Sequence, residues 1–393
     1  MKAMLVIFFA VLFQYSCGNA INPVLAPLAI QTGISTVQTG LFFTLSSLMW
    51  LAASPFWGRQ SEIIGRKRVM LIGLGSCFVL YMLFGIVGDW GLSHRPPAFL
   101  LFVSLLLIRV ASGVFFSTVP VAAQAYIADT TSGRERTAAI SLVWMASGLG
   151  SIIGPAMGVL SAYHLMAPLY LGSLLPLIGF LMVWAYLPPS QVTSGASDRV
   201  TARIKLFDRR VWMYLFIITS LQASVLAIQV TTGFFIEDHF HFSSSGTAQI
   251  AGFLFMLAGA VSVMSQLLFV RRLKLSSRAL LTIGAPIFLL ASVSLLFHSH
   301  MQAVYIGFIL LGLGVGLVLP GATSGASLSV NQTEQGAVAG RISAAQGLGT
   351  ALGPIVGTSL YNLNSLFPYI FTGVLFSMAS GLVWKRCSLG KET

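Results

Sequence analysis

The chain has 393 residues, of which 56% are hydrophobic and only 8% charged, with a mean hydropathy of +0.87. A soluble globular chain carries about 25% charged residues and covers its surface with them, so this composition excludes a water-facing surface of that size and leaves repeated bilayer spans. The formal charge of +12 would suit a nucleic-acid partner, but the placement of the basic residues excludes that partner too and assigns the charge to membrane topology.

Hydropathy marks twelve spans, at about 4–28, 36–57, 69–88, 98–127, 138–162, 168–187, 212–236, 247–270, 279–298, 303–329, 338–361 and 369–385. With the N-terminus inside, twenty of the 22 Lys and Arg residues fall in or beside cytoplasmic segments, while Arg95 lies outside and Arg109 lies within a span. That asymmetry follows the positive-inside rule and sets both termini in the cytoplasm. The first twenty residues also match a secretory signal, but the even count and the charge asymmetry need them as a first span. Cys17, Cys77 and Cys387 have no metal-ligand spacing, and neither a metal nor a cofactor is expected.

In chain order, the first span carries the amides Gln14, Asn19 and Asn22. After the second span comes "GRQSEIIGRKR" (58–68), where Gly58 and Gly65 permit a tight loop, Glu62 supplies an acid and Arg66, Lys67 and Arg68 a basic cluster. A solvated positive-inside loop would account for the arginines alone. The fourth span reads "IRVASGVFF" and then "AYIADTTSGRERTAAI", with Asp129 and Arg136 near its end. Arg109 is the one charge deep inside a span, and an intramembrane arginine marks a functional site by default. Arg109, Ser112, Gly113 and Phe116 share one helix face by three-and-four spacing, a face expected to look into a cavity.

The fifth span holds "GLGSIIGPAMG" (148–158), and the eleventh repeats it as "GLGTALGPIVG" (347–357). Gly150, Gly154 and Gly158, with their counterparts Gly349, Gly353 and Gly357, let a neighbouring helix backbone approach closely. Pro155 and Pro354 bend the helices, which a bilayer tolerates when neighbours satisfy the freed carbonyls. Plain tight packing would explain either phrase alone; two at equivalent places suggest a paired interface that moves. Between them lies the longest hydrophilic stretch separating apolar runs, which opens at Pro188-Pro189 and ends in "RIKLFDRR". The chain thus reads as an internal duplication: a six-helix bundle at 1–188, a cytoplasmic loop at 189–210 and a second six-helix bundle at 211–393. The expected fold is an all-α polytopic membrane protein, with twelve transmembrane helices in two pseudo-symmetric six-helix bundles around a central cavity. Gln222 and Gln229 on the seventh span lie about 20° apart around the helix. With Gln346 ahead of the second phrase they complete the candidate lining, together with Gln14, Asn19, Asn22, Arg109 and Phe116. Buried amides between helices serve equally as structural hydrogen bonds worth about 0.6 kcal/mol.

The loop at 58–68, glycine, three residues, acid, two residues, glycine and two basics, resembles the signature of the major facilitator superfamily. The arginine and glycine of the fourth span and the downstream "YIAD…R" are similar to the tetracycline-type and multidrug proton antiporters, its twelve-span drug-exporter branch. "GLGSIIGPAMG" falls where that branch carries its antiporter signature, with Val159 departing from a usual glycine. The resemblance implies that Glu62 and nearby basics form a cytoplasmic charge network, to which Gly58, Gly65, Arg66, Lys67, Asp129 and Arg136 belong. The second half keeps only a degraded copy of the loop, "RRLKLSSR" at 271–278.

The resemblance breaks in the first span. Tetracycline-type exporters carry an aspartate there, nine residues before a proline; nine before Pro23 this chain has Gln14, whose amide cannot take up and release a proton. All ten acids are expected outside the membrane centre. Proton coupling would then fall to Glu237 or Asp238 with His239 and His241, to Asp129, or to the charge of the substrate itself. A net-positive cavity suits an anionic or multiply hydroxylated substrate better than a lipophilic cation.

The expected function is a non-enzymatic secondary transporter in the cytoplasmic (inner) membrane, acting as a monomer by alternating access. Its partners are a small-molecule substrate, the lipid bilayer and, as candidate coupling ion, the proton. Export of a drug or a secreted metabolite, such as a siderophore-like carboxylate, is the leading reading; import or exchange of organic anions is the alternative. No G-x-x-x-x-G-K-[ST] phosphate loop and no His-Glu metal motif is present, which excludes an ATP-driven pump for this chain on its own. A sensor would need an appended signalling domain, and a channel a continuous filter.

Overall fold

Helix follows helix through the computed structural model, which describes residues 2–131, 133–188, 208, 210–297, 300–331 and 334–389. Among the described residues no strand forms. The helices are α1 (Lys2–Ala20), α2 (Asn22–Thr32), α3 (Thr36–Ile63), α4 (Arg66–His94), α5 (Ala98–Phe116), α6 (Thr118–Thr130) and α7 (Gly133–Ala156). They continue with α8 (Ala167–Tyr186), α9 (Trp212–Phe240), α10 (Ser244–Ser265), α11 (Ser277–Leu296), α12 (Met301–Leu328), α13 (Gln335–Leu363) and α14 (Phe367–Leu389). Eleven stretches of the described chain are long and apolar enough to cross a membrane. The 29-residue α13, richer in glycine, serine and glutamine, occupies the place expected for the eleventh span.

Prolines divide three spans. The first breaks at Ile21, ahead of Pro23 and Pro27. The fourth breaks at Ser117, ahead of Pro120. In the fifth, α7 tightens after Pro155 into a 3₁₀ turn at Met157–Ala162. A proline removes one donor and crowds the preceding turn, and the helix bends there. Pro354, in the second copy of the phrase, lies inside an unbroken α13.

The described chain separates into two compact units, one of 1–197 with 233–256 and the other of 198–232 with 257–393. The first unit therefore takes in the end of α9 and the first half of α10. The segment expected as a central loop lies outside the described residues except for Asp208 and Arg210.

Each copy of the glycine-proline phrase seats one helix on another inside its own unit. A Cβ on Gly150 or Gly154 would collide with the backbone of α1 at Leu12 and Ser16. A Cβ on Gly349 or Gly353 would collide with the backbone of α9 at Thr219 and Ala223, and one on Gly357 with Ala227. Gly148, by contrast, has open space around it. The same spacing of four thus brings α7 onto α1, and α13 onto α9.

Candidate functional site

Arg109 projects from α5 among side chains of α3 and α4. Its Nη1 donates to the Tyr81 hydroxyl at 2.9 Å and its Nη2 to Ser46 Oγ at 3.4 Å. The guanidinium carbon stands 5.3 Å from the centre of the Phe43 ring and 5.9 Å from that of Tyr81. Gly113 is the reason Ser46 comes within reach: a Cβ there would overlap the Ser46 carbonyl, so α3 and α5 touch backbone to backbone. Arg109 is only 7% exposed, its Nε has no hydrogen-bond partner, and among the described residues no carboxylate is paired with it. Arginine does not lose its proton in proteins. The site therefore holds a buried cation, stabilised by two hydroxyls and two ring faces; such cation–π contacts contribute about 2 kcal/mol when desolvated.

Gln14 is fully buried. Its Nε2 donates to the Phe116 carbonyl at 3.1 Å and approaches Cys77 Sγ at 3.6 Å, while its Oε1 has no partner. The carbonyl of Phe116 is the one that Pro120, four residues on and lacking an N–H, leaves without a helical donor. Gln14 thus fastens the broken fourth span to the first. One turn along, Asn19 Nδ2 donates to the Tyr15 carbonyl at 2.8 Å and Asn22 Nδ2 to Asn19 Oδ1 at 3.1 Å. The Phe116 ring meets Tyr15 edge to face at 5.2 Å, over Gly18, where a Cβ would strike the ring. These residues all belong to the first unit. Gln222, Gln229 and Gln346 belong to the second and are half-buried, Gln222 lying against Gly349.

The 58–68 segment departs from the expected loop at one end. Gly58 lies within α3, because the helix continues to Ile63, and a Cβ there would make only ordinary contact with Val121. Gly65 does make the turn, with φ +93°, a conformation side chains rarely adopt. Arg66 Nε donates to Asp129 Oδ2 at 3.0 Å, its Nη1 bonds Ser61 Oγ, and Glu62 stands 3.9 Å away with its side chain 62% exposed. Lys67 Nζ donates to the Trp184 carbonyl at 2.8 Å. Of the residues assigned to this network, the side chain of Arg136 lies outside those described.

Two polar clusters carried no sequence signal. In the first unit, the Tyr170 hydroxyl donates to Asp89 Oδ2 at 2.5 Å, and His164 Nε2 stands 3.5 Å from Asp89 Oδ1. In the second, Arg210 forks onto Glu334 at 2.9 and 3.1 Å and bonds Asp208 at 2.8 Å. The Arg210 hydrogen bonds hold the Asp208 carboxyl down at about 2 and lower that of Glu334 as well. Both pairings join residues 81 and 124 positions apart, beyond any local pattern.

Comparison with known proteins agrees with this architecture. The family model described as Major Facilitator Superfamily matches residues 7–354 and 271–388. "Multidrug resistance protein 2" of Bacillus subtilis (strain 168) is 27% identical over 347 residues, 84% of this chain and 82% of that protein. "Tetracycline resistance protein, class D" of Salmonella ordonez is 27% identical over 340 residues, 83% of this chain and 78% of its own. Among solved structures, the human organic anion transporter MFSD10 superposes with a TM-score of 0.68 at 19% identity, covering 97% of this chain and 99% of the other.

Proposed function

Since the chain belongs to the Major Facilitator Superfamily, we propose that it is a monomeric secondary active transporter of the cytoplasmic membrane, exporting a drug-like or secreted small molecule by alternating access. In this reading two six-helix halves, 1–188 and 211–393, joined by a cytoplasmic loop at 189–210, rock about a central site, with both termini in the cytoplasm. Likeness to multidrug and tetracycline resistance proteins over more than four-fifths of the chain favours export. The observation that carries the substrate class is Arg109: a buried cation with an open Nε and no carboxylate paired to it among the described residues. A cation inside a low-dielectric bundle favours an anionic ligand. An anionic, siderophore-like metabolite fits that charge, with Gln14, Asn19, Asn22, Phe116, Gln222, Gln229 and Gln346 as the amide and aromatic contacts. The Glu62–Arg66–Asp129 network serves the state in which the cytoplasmic side is shut.

The second reading, exchange or import of organic anions without an acid in the membrane, is favoured by Gln14, which is committed to the Phe116 carbonyl and cannot titrate. Accumulation of ethidium, tetracycline and carboxyfluorescein in efflux-deficient bacteria, with and without a protonophore, separates the two. Lower accumulation that the protonophore restores supports proton-driven export. Counterflow of carboxyfluorescein that ignores the protonophore supports exchange, and no effect on any probe overturns drug export.

A further inference from the structure

Ten acids are spread over this chain, and most of those described are satisfied by partners or by water. Asp129 is paired with Arg66, and Asp208 and Glu334 with Arg210. Asp89 has the Tyr170 hydroxyl on Oδ2 and, at an Oδ1 that is buried without a hydrogen bond, His164 at 3.5 Å, while Glu62, Glu135 and Asp238 are exposed. Glu237 differs. It is half-buried near the end of α9, and its Oε2 is fully enclosed with neither a hydrogen bond nor an ion pair.

The surroundings explain the enclosure. Within the first unit, the last turns of α9 and the first half of α10 pack on α2 and on the end of the fifth span. A Cβ on Gly233 would overlap Ala26 of α2, and one on Gly252 would overlap the Pro155 carbonyl and crowd Gly158. Glu237 is one turn beyond Gly233 on the same helix face. It therefore sits at the seam where this hairpin meets the outer part of the first span. The chain then reverses, with the His241 N–H donating to the Glu237 carbonyl at 3.0 Å and His241 itself at φ +52°.

Among the described residues no ion pair reaches Glu237. From Asn22 to Thr32 on α2, from Ser244 to Ser265 on α10, and from Ser151 to Ala162 at the end of the fifth span, the sequence holds no titratable or charged side chain; Tyr163 and His164 come next, His164 standing 3.5 Å from Asp89. On α9 itself the neighbours are Asp238, which repels a second negative charge, and His239, whose Nδ1 faces the Phe235 carbonyl at 3.1 Å; His241 follows in the turn. Enclosing one oxygen of an ionised carboxylate without a partner disfavours the charged form, and taking up a proton relieves that cost.

We infer that Glu237 takes up a proton from the outer water each time the α9–α10 hairpin seats on α2 and the fifth span, so that closure of the outer side is tied to external pH. One O–H bond forms on the carboxylate as a hydronium ion of the outer water loses one of its own and becomes water. It breaks, returning the proton to water, when the hairpin lifts. This rests on the transporter reading for its orientation. It supplies a titrating group that the first span, with Gln14, lacks.

The test uses the full-length protein in liposomes and the apolar reagent dicyclohexylcarbodiimide, which adds to protonated carboxyls in apolar surroundings, with the adduct located by peptide mass spectrometry. Glu237 is expected to label at pH 6, with labelling falling about tenfold per pH unit above its titration, while exposed Glu62 stays unlabelled. Glu237→Gln removes the adduct and makes transport of ethidium or carboxyfluorescein insensitive to external pH; Glu237→Asp keeps both responses. Labelling of Glu237 no greater than that of Glu62 overturns the inference, as does an unchanged pH profile in Glu237→Gln. If the wild type moves neither probe, the transporter reading fails on its own, and the labelling still decides for or against Glu237.

Discussion

Gln14 shows how a single side chain is committed by a backbone defect elsewhere. Pro120 frees the Phe116 carbonyl, and the Gln14 amide is the donor that reaches it across 102 residues of sequence. A carboxylate at position 14 could accept but not donate. Gln14→Glu and Gln14→Leu should both lower stability, by about 1–3 kcal/mol for an unsatisfied buried carbonyl, seen as a drop in the thermal midpoint of the purified protein. An equal midpoint in Gln14→Leu would mean that the carbonyl finds another donor. Arg210 allows a sign-definite pH prediction. Asp208, held at about 2, and Glu334, also lowered, have folded-state values below their unfolded ones. Their contribution is complete above the unfolded carboxylate range, about 4, and disappears as the pH falls through the folded values. Thermal midpoints measured from about pH 5 down to about pH 3 should fall less steeply for Arg210→Gln than for the wild type. Parallel curves would show that the fork onto Glu334 and Asp208 adds nothing to stability.

At the level of helices, the duplicated phrase is two solutions of one packing problem. Position 154 matches 353 at an offset of 199, and the same offset matches Glu135 with Glu334 at the start of each helix. The surroundings of the glycines also correspond, α1 beneath α7 and α9 beneath α13, so the sequence repeat is a repeat of helix pairs. Past the proline the copies diverge, 3₁₀ at Met157–Ala162 but α-helix through Thr358, where the Thr358 hydroxyl bonds the Pro354 carbonyl at 2.7 Å. Because the atoms facing Gly154 and Gly353 are backbone, alanine at either position forces whole helices apart, a misfit of about 1–3 kcal/mol. Gly154→Ala and Gly353→Ala should therefore each lower the thermal midpoint and reduce probe transport. Gly148→Ala, which meets nothing within 4 Å, should leave both unchanged. If all three variants behave alike, the close approaches are not what fixes the helix pairs.

Across the whole molecule, what was legible in the sequence is what local chemistry dictates. Spans follow from runs of apolar residues, the break in the fifth span from Pro155, and the turn at Gly65 from its missing Cβ; no break forms at Pro354, where a bend is expected, and the breaks ahead of Pro23 and Pro120 were not read from the sequence. The partners of Arg109 were not legible, because Tyr81 and Ser46 lie 28 and 63 residues away on helices whose rotation no pattern specifies. Nor was the seating of 233–256 on α2 and the fifth span within the first unit, since the contact is made by glycines, alanines and a proline without charge or periodicity. On the proposed alternating-access reading this contact is a seam that opens and closes each cycle, and such a seam is better built from small residues than from interlocked large ones. Backbone meets backbone at Gly252, with the Pro155 carbonyl and Gly158 in the way of any Cβ. A larger residue there opposes the seated state while leaving the helices of both units intact. With about 1–3 kcal/mol of misfit, the equilibrium shifts by about five- to 150-fold. Gly252→Val should consequently reduce transport of the wild-type probe within that range and increase alkylation of Ala248→Cys, a position fully buried in the seated state, while Gly340→Ala, in open space, changes neither. Undiminished transport by Gly252→Val would show that the seam is never fully closed in the working cycle. Reduced transport without the gain in alkylation would place the damage in folding rather than in the gate.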